Sequence, residues 1–180
     1  MRKKTRRRLR LILILVLVLS TSAAILYIKT ELFRPMGIPV SRIKYPIRGI
    51  DISKHNGVIN FGRLEPENVR FVYIKASEGE THVDVRMEKN FTHAQERGIP
   101  AGFYHFFRFT KNGYEQANAF LDALKGRHAD LPPVVDVEDH LNLHVHSTQV
   151  KIAQLKIFID AVERVLKRKV IIYTNEDGYR

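Results

Sequence analysis

Residues 133–138 read Pro133-Val134-Val135-Asp136-Val137-Glu138, an apolar run that ends in two acids one residue apart. Side chains along a β-strand alternate faces, so Asp136 and Glu138 point one way and Val137 points into the opposite layer. Two carboxylates at the end of a buried strand are costly to keep unless something uses them. Like charges at that spacing push their proton affinities apart, so that one group can hold a proton while the other stays ionised. That pairing is the equipment for cleaving a glycosidic bond.

Outward from this run, strands alternate with helices. Gly49–Ser53 and Arg70–Ala76 read as two strands, and Ile99–Phe107 as an aromatic third. Pro133–Glu138 is the fourth and Val170–Thr174 the fifth. Helices are predicted over 84–97, stopped by Gly98, and over 114–125, closed by Gly126. A third, capped by Ser147, runs to Arg168 with Val150, Ala153, Leu155, Ile157, Phe158, Ala161, Val162, Val165 and Leu166 on its apolar side. Such alternation predicts parallel strands with helical crossovers, and chemistry at the carboxyl ends of the strands. Polar residues gather there: Asp51 and Ser53, Lys75 and Glu78, Tyr104 with His105 and Arg108, Asp136 and Glu138, and Tyr173 to Asn175.

Five segments in order carry a resemblance. Gly49-Ile50-Asp51-Ile52-Ser53 with Asn56-Gly57-Val58-Ile59-Asn60-Phe61 resembles the opening of glycoside hydrolase family 25, the Chalaropsis-type lysozymes. Phe71 to Gly79, Ala101 to Phe106, Pro133 to Glu138 and Ile172-Tyr173-Thr174 resemble its next four strands. The resemblance implies an α/β fold, an irregular TIM-like β/α barrel, that cleaves the β-1,4 link from N-acetylmuramic acid to N-acetylglucosamine in peptidoglycan. It implies Glu138 as general acid and Asp136 as the group that orients and stabilises the substrate's acetamido group. It places Asp51 nearby for charge balance and sugar binding, with Tyr104 and Tyr173 lining the site. No metal or organic cofactor is implied, and retention of configuration is the expected outcome.

The chain departs from the family pattern in three places. Asn56-Gly57 and Asn60-Phe61 stand where the family often has Gln-Gly and Asp-Trp. No tryptophan is present to stack on sugars, which leaves Tyr104, Phe106 and Phe107 as the candidate platforms. The chain stops at Arg180, soon after the fifth strand, whereas the family continues. A closed barrel takes ~200 residues or more, so a barrel lacking its last strands is expected over 49–180. A non-catalytic, membrane-tethered peptidoglycan-binding module is the alternative reading, separated from the enzyme by the effect of Glu138→Gln.

Other groups have plainer explanations. Asp51 could cap a turn with Ser53. Lys75 and Glu78 read as a structural ion pair, and His105 as a hydrogen-bonded core histidine. Tyr104 and Tyr173 could be core. His140, His144 and His146 cluster near Asp136 and Asp139, but their spacing matches no common metal motif.

The net charge of +11 is concentrated at one end. Residues 1–34 hold nine basic residues against Glu31, a net of +8, and the remainder holds 21 basic and 18 acidic residues. A nucleic-acid partner is therefore not indicated. The seven cationic residues within 2–10 form a basic cytoplasmic head. Residues 11–28 carry no charge, which suits a transmembrane signal-anchor close to the ~20 residues a bilayer needs. Ser22-Ala23-Ala24 offers a cleavable signal peptide as the alternative. Residues 29–48, punctuated by Pro35, Gly37, Pro39 and Pro46, read as a linker. Either membrane reading exports the domain, and without cysteine it must rest on its apolar core.

Overall fold

The computed structural model describes residues 12–13, 16–23, 44–138 and 146–175. The chain divides into two compact units, Met1–Ser41 and Arg42–Arg180. In the first, residues 12–13 and 16–23 are α-helical with exposed side chains. The hydroxyls of Ser20 and Thr21 donate to the Leu17 carbonyl at 2.9 and 3.0 Å, which satisfies them within the helix. Among the described residues no helix is long and apolar enough to cross a membrane. The rest of the expected 11–28 span, the basic head 1–10 and the linker as far as Ile43 lie outside the described residues.

The second unit carries β1 (Arg48–Ile52), β2 (Val69–Glu78), β3 (His82–Val83), α1 (Met87–Glu96), β4 (Ala101–Phe106), α2 (Gly113–Leu124), β5 (Val134–Val137), α3 (Thr148–Leu166) and β6 (Ile171–Thr174). Short 3-10 turns fill Lys54–Asn56 and Phe61–Arg63. The strands form one sheet in the order β1-β2-β4-β5-β6, with every neighbouring pair along that path parallel. β3 is the exception to the expected alternation: it pairs antiparallel with the end of β2. The sheet is a curled, parallel half-barrel of mixed α/β type.

Local chemistry explains the helix limits. Asn112 accepts from the Tyr114 and Glu115 amides at 2.8 and 3.2 Å and starts α2, while Ser147 accepts from the Val150 amide and starts α3. Gly98 and Gly126 take φ of +61° and +75° just past α1 and α2, a left-handed conformation that glycine adopts without steric cost.

Strand alternation gives the sheet two unlike faces. Ile52, Val72, Ile74, Ala76, Phe103, Val135 and Val137 are buried under the helices, against Met87, Phe91, Ala94, Ala117, Phe120 and Phe158. Phe158 stacks on His105 at 4.8 Å between ring centroids and meets the Phe107 ring at 5.7 Å. Each such aromatic withdrawn from water contributes ~1.5–3 kcal/mol. Helices α2 and α3 approach so closely at Gly113 that an added Cβ would lie 2.0 Å from the Gln154 carbonyl oxygen.

The β2–β4 register shifts between Lys75 and Ser77. This irregularity puts Ala76 and Ser77 together on the helical side and turns Lys75 and Glu78 together to the other face.

One expectation needs correction, and one consequence of the expected incomplete barrel is visible. α3 buries only Phe158, Ala161 and Val162, while Val150, Ile157 and Val165 from its predicted apolar side are exposed. β6 is an edge: Ile171, Ile172 and Tyr173 are all exposed, because among the described residues only β5 pairs with it.

Candidate active site

The uncovered face of the sheet holds a cavity of about 300 Å³. Its floor is apolar, built from Phe71 and Tyr73 of β2 with Val134 and Ile171. The floor exists because two neighbours lack a side chain. A Cβ on Gly49 would lie 2.1 Å from the Phe71 ring, and one on Gly102 would lie 2.4 Å from the Tyr73 ring. The Tyr73 hydroxyl donates to the Pro132 carbonyl at 3.2 Å.

Above the floor, the same cavity is lined by Asp51, Tyr104, Asp136, Glu138 and Tyr173. Each of the five residues singled out from the sequence therefore reaches one place from four different strands or strand ends. Register aligns them: Asp51 lies opposite Tyr73, and Asp136 lies between Phe106 and Tyr173. Asp51 does not cap the following turn. Ser53 does so, in a capping box with Asn56.

Asp136 is the most perturbed of these groups. Burial, then the charge of Glu138, push its carboxyl up to about 7; Lys75 opposes them, while Asp51 and Glu78 add to the rise. Its Oδ1 is buried and accepts no hydrogen bond from the described residues. Tyr104 is also raised, by burial and by the charges of Asp51 and Asp136, against a hydrogen bond with Ser53 that acts the other way. Tyr173 is raised by burial and by Glu138, Asp136 and Asp51. The acids are thus close enough to act on both tyrosines.

The pairing of Lys75 with Glu78 is present at 2.5 Å, but it is part of a larger cluster. Arg108, from the loop after β4, donates to the same carboxylate through Nε at 3.0 Å and Nη2 at 2.5 Å. Burial alone would raise Glu78; the hydrogen bonds and charges of Lys75 and Arg108 outweigh it and hold the group at about 2. Both cations also lie against the Phe106 ring, at 4.8 and 4.7 Å from its centre. Strict alternation would have put Lys75 and Glu78 on opposite faces; the bulge brings the expected pair together, and Arg108 is the member that sequence reasoning missed.

His105 faces away from the cavity. Its Nδ1 meets the Ser77 hydroxyl at 2.8 Å and its Nε2 meets the Gln116 carbonyl oxygen at 3.2 Å. Burial pushes it down to about 4, so it is neutral at ordinary pH. Phe107 is fully buried in the helical layer and cannot serve as a sugar platform. Asp139, His140 and His144 lie outside the described residues. Among the described residues no group of three His, Cys, Asp or Glu side chains could hold a metal ion.

The Glycosyl hydrolases family 25 model matches residues 50–179. The chain is 31% identical over 160 residues to the protein YegX of Escherichia coli (strain K12), covering 85% of this chain and 58% of that one. It is 34% identical over 136 residues to Lysozyme M1 of Streptomyces globisporus, covering 71% of this chain and 46% of the relative. It thus spans about half the length of the curated relatives it matches. The structure of a family 25 glycosyl hydrolase from Bacillus anthracis superposes with a TM-score of 0.73 at 32% identity, over 81% of this chain and 68% of that one. The matched residues take in β2 to β6, most of β1 and every cavity-lining residue but Gly49, and the chain belongs to glycosyl hydrolase family 25.

Proposed function

We propose that this chain is an exported muramidase that cleaves the β-1,4 bond after N-acetylmuramic acid in peptidoglycan. The observation that carries the reading is the buried Oδ1 of Asp136, which has no hydrogen-bond partner among the described residues and shares a cavity at the strand ends with Glu138. An unpartnered buried acceptor is stabilised by a donor from a bound molecule. The amide N–H of a sugar acetamido group is such a donor.

In this reading Asp136 accepts that N–H and turns the acetamido carbonyl oxygen toward the anomeric carbon. Glu138 donates its proton to the leaving glycosidic oxygen as that bond breaks. The acetamido oxygen forms the new bond to carbon, and the resulting cation is stabilised by Asp136. Water, deprotonated by Glu138, then opens the ring with overall retention. This route needs no protein nucleophile, an exception that some glycosidases share. Burial and the charge of Glu138 favour a proton on Asp136; the productive arrangement passes it to Glu138 as the sugar N–H takes its place at Asp136. Asp51 balances charge and binds sugar, and Tyr104 and Tyr173 border the substrate. Family membership and the likeness to Lysozyme M1 support the reading.

Residues 11–28, behind the basic head, deliver the domain out of the cytoplasm in the same proposal and remain as its anchor, since the apolar stretch continues through Ile25-Leu26-Tyr27-Ile28. N-terminal sequencing of the exported protein checks this, because a new terminus near Ala23 would mark cleavage instead.

The bond class is tested by digesting purified peptidoglycan, reducing the products and weighing them. Reduced muramic acid at the new ends is expected. Binding to peptidoglycan without new ends would favour the non-catalytic module.

A further inference from the structure

Behind the acid row, a buried network ties the helical layer to the cleft. Gln116 of α2 is fully buried. Its Oε1 accepts from the Arg108 amide at 2.8 Å and lies 3.2 Å from His105 Nε2. Its Nε2 donates to the carbonyls of Arg108 and Lys111 at 3.0 and 3.3 Å. Both protons and both lone pairs of the amide are used. The side chain grips the main chain of Arg108 as a neighbouring strand would. Arg108 in turn holds Glu78, and Glu78 holds the buried ammonium of Lys75.

We propose that Gln116 is a positioning residue for the cleft: from the helical layer it fixes Arg108, and through Arg108 and Glu78 it fixes the buried Lys75 ammonium over the ring of Phe106, the residue opposite Asp136 on β4. The cluster of Lys75, Arg108 and Glu78 carries one net positive charge. The charges of Glu138, of Lys75 and Glu78 on β2 and of Asp51 on β1 act on Asp136, and Tyr104 and Tyr173 line the same cavity. Lys75 is the one group among these that favours its ionised form. The consequence for catalysis rests on the muramidase reading; the positioning itself does not.

The test follows the Asp136 carboxyl carbon by NMR titration of the full chain, assigned by comparison with Asp136→Asn. Arg108→Gln removes one cation, so the midpoint is expected to rise by about half a pH unit, the size of a charge lost through a partly solvated path. Arg108→Lys is expected to restore most of it. Gln116→Met keeps every charge in the cluster, so a rise in that variant reports displacement rather than charge removal. Should Gln116→Met fail to fold, Gln116→Glu keeps the acceptor to the Arg108 amide but loses the donor to the Arg108 and Lys111 carbonyls, and is expected to move the midpoint as well. An unchanged midpoint in the folded Gln116→Met protein overturns positioning by Gln116, and an unchanged midpoint in the folded Arg108→Gln protein overturns the whole chain of contacts. In parallel, the alkaline limb of kcat/KM on peptidoglycan is expected to move up by the same amount. Absence of any turnover by the unaltered chain would count against the muramidase reading and leave the midpoint test intact.

Discussion

His105 and Asp136 lie on adjacent strands, one residue out of register, and face opposite sides of the same sheet. His105 is fully buried, and both of its ring nitrogens are bonded, to Ser77 and Gln116. Asp136 is half-buried, and one of its carboxylate oxygens has no hydrogen-bond partner among the described residues. Burial forces both toward their neutral forms, His105 to about 4 and Asp136 to about 7. The fold has satisfied the polar group that serves its own layer and left unsatisfied the one that faces the cavity. In the proposed reading, the N–H of the substrate's acetamido group completes that acceptor.

The contrast can be broken most forcefully from the helical side. Phe158→Ala removes the ring that stacks on His105 and packs on Phe107 and Phe120, and it should cost ~3–5 kcal/mol in denaturant unfolding. A loss under 1 kcal/mol would mean that this layer is not the stabilising one. On the cavity side, Gly102→Ala drives a methyl into the Tyr73 ring and should cost ~1–3 kcal/mol by overpacking. It should also narrow the cleft floor, read as a raised KM.

The smallest effect has the opposite sign. The native carboxyl of Asp136 holds its proton up to about 7, whereas an unfolded one releases it near 3.8. Stability from this group is therefore complete below that lower value and lost as pH rises to about 7. Asp136→Asn should unfold like the parent at pH 4 and be more stable at pH 8, by about 1–2 kcal/mol once solvent screening is allowed for. Melting curves across that range that stay parallel would show that Asp136 is not desolvated.

Much of this was legible in the chain because periodicity reports faces. The alternation in Val134–Glu138 separates Val135 and Val137 from Asp136 and Glu138, and they lie in the core and the cavity respectively. Asp51, Tyr104 and Tyr173 could be picked out for the same reason, as polar groups at the ends of apolar strands. The Lys75–Glu78 pair was legible, but Arg108 joining it was not, because that depends on a loop whose path is held by Gln116. Phe107 was misread as a sugar platform, since an aromatic just past a strand carries no sign of which layer it enters. The apolar stripe of α3 overstated its burial because amphipathicity records what a helix can bury, and among the described residues no strand follows β6 to receive Val165 or Ile157.

The most direct test of the central claim, that the acids at the end of β5 perform glycoside hydrolysis, is release of new reducing ends from purified peptidoglycan by the full chain and by Glu138→Gln, with a thermal melt of each sample. The account predicts release by the parent, a loss of roughly 10²–10⁴-fold in the variant as for a removed general acid, and superimposable melts. Equal release by parent and variant, or none by a parent that melts cooperatively, would contradict it.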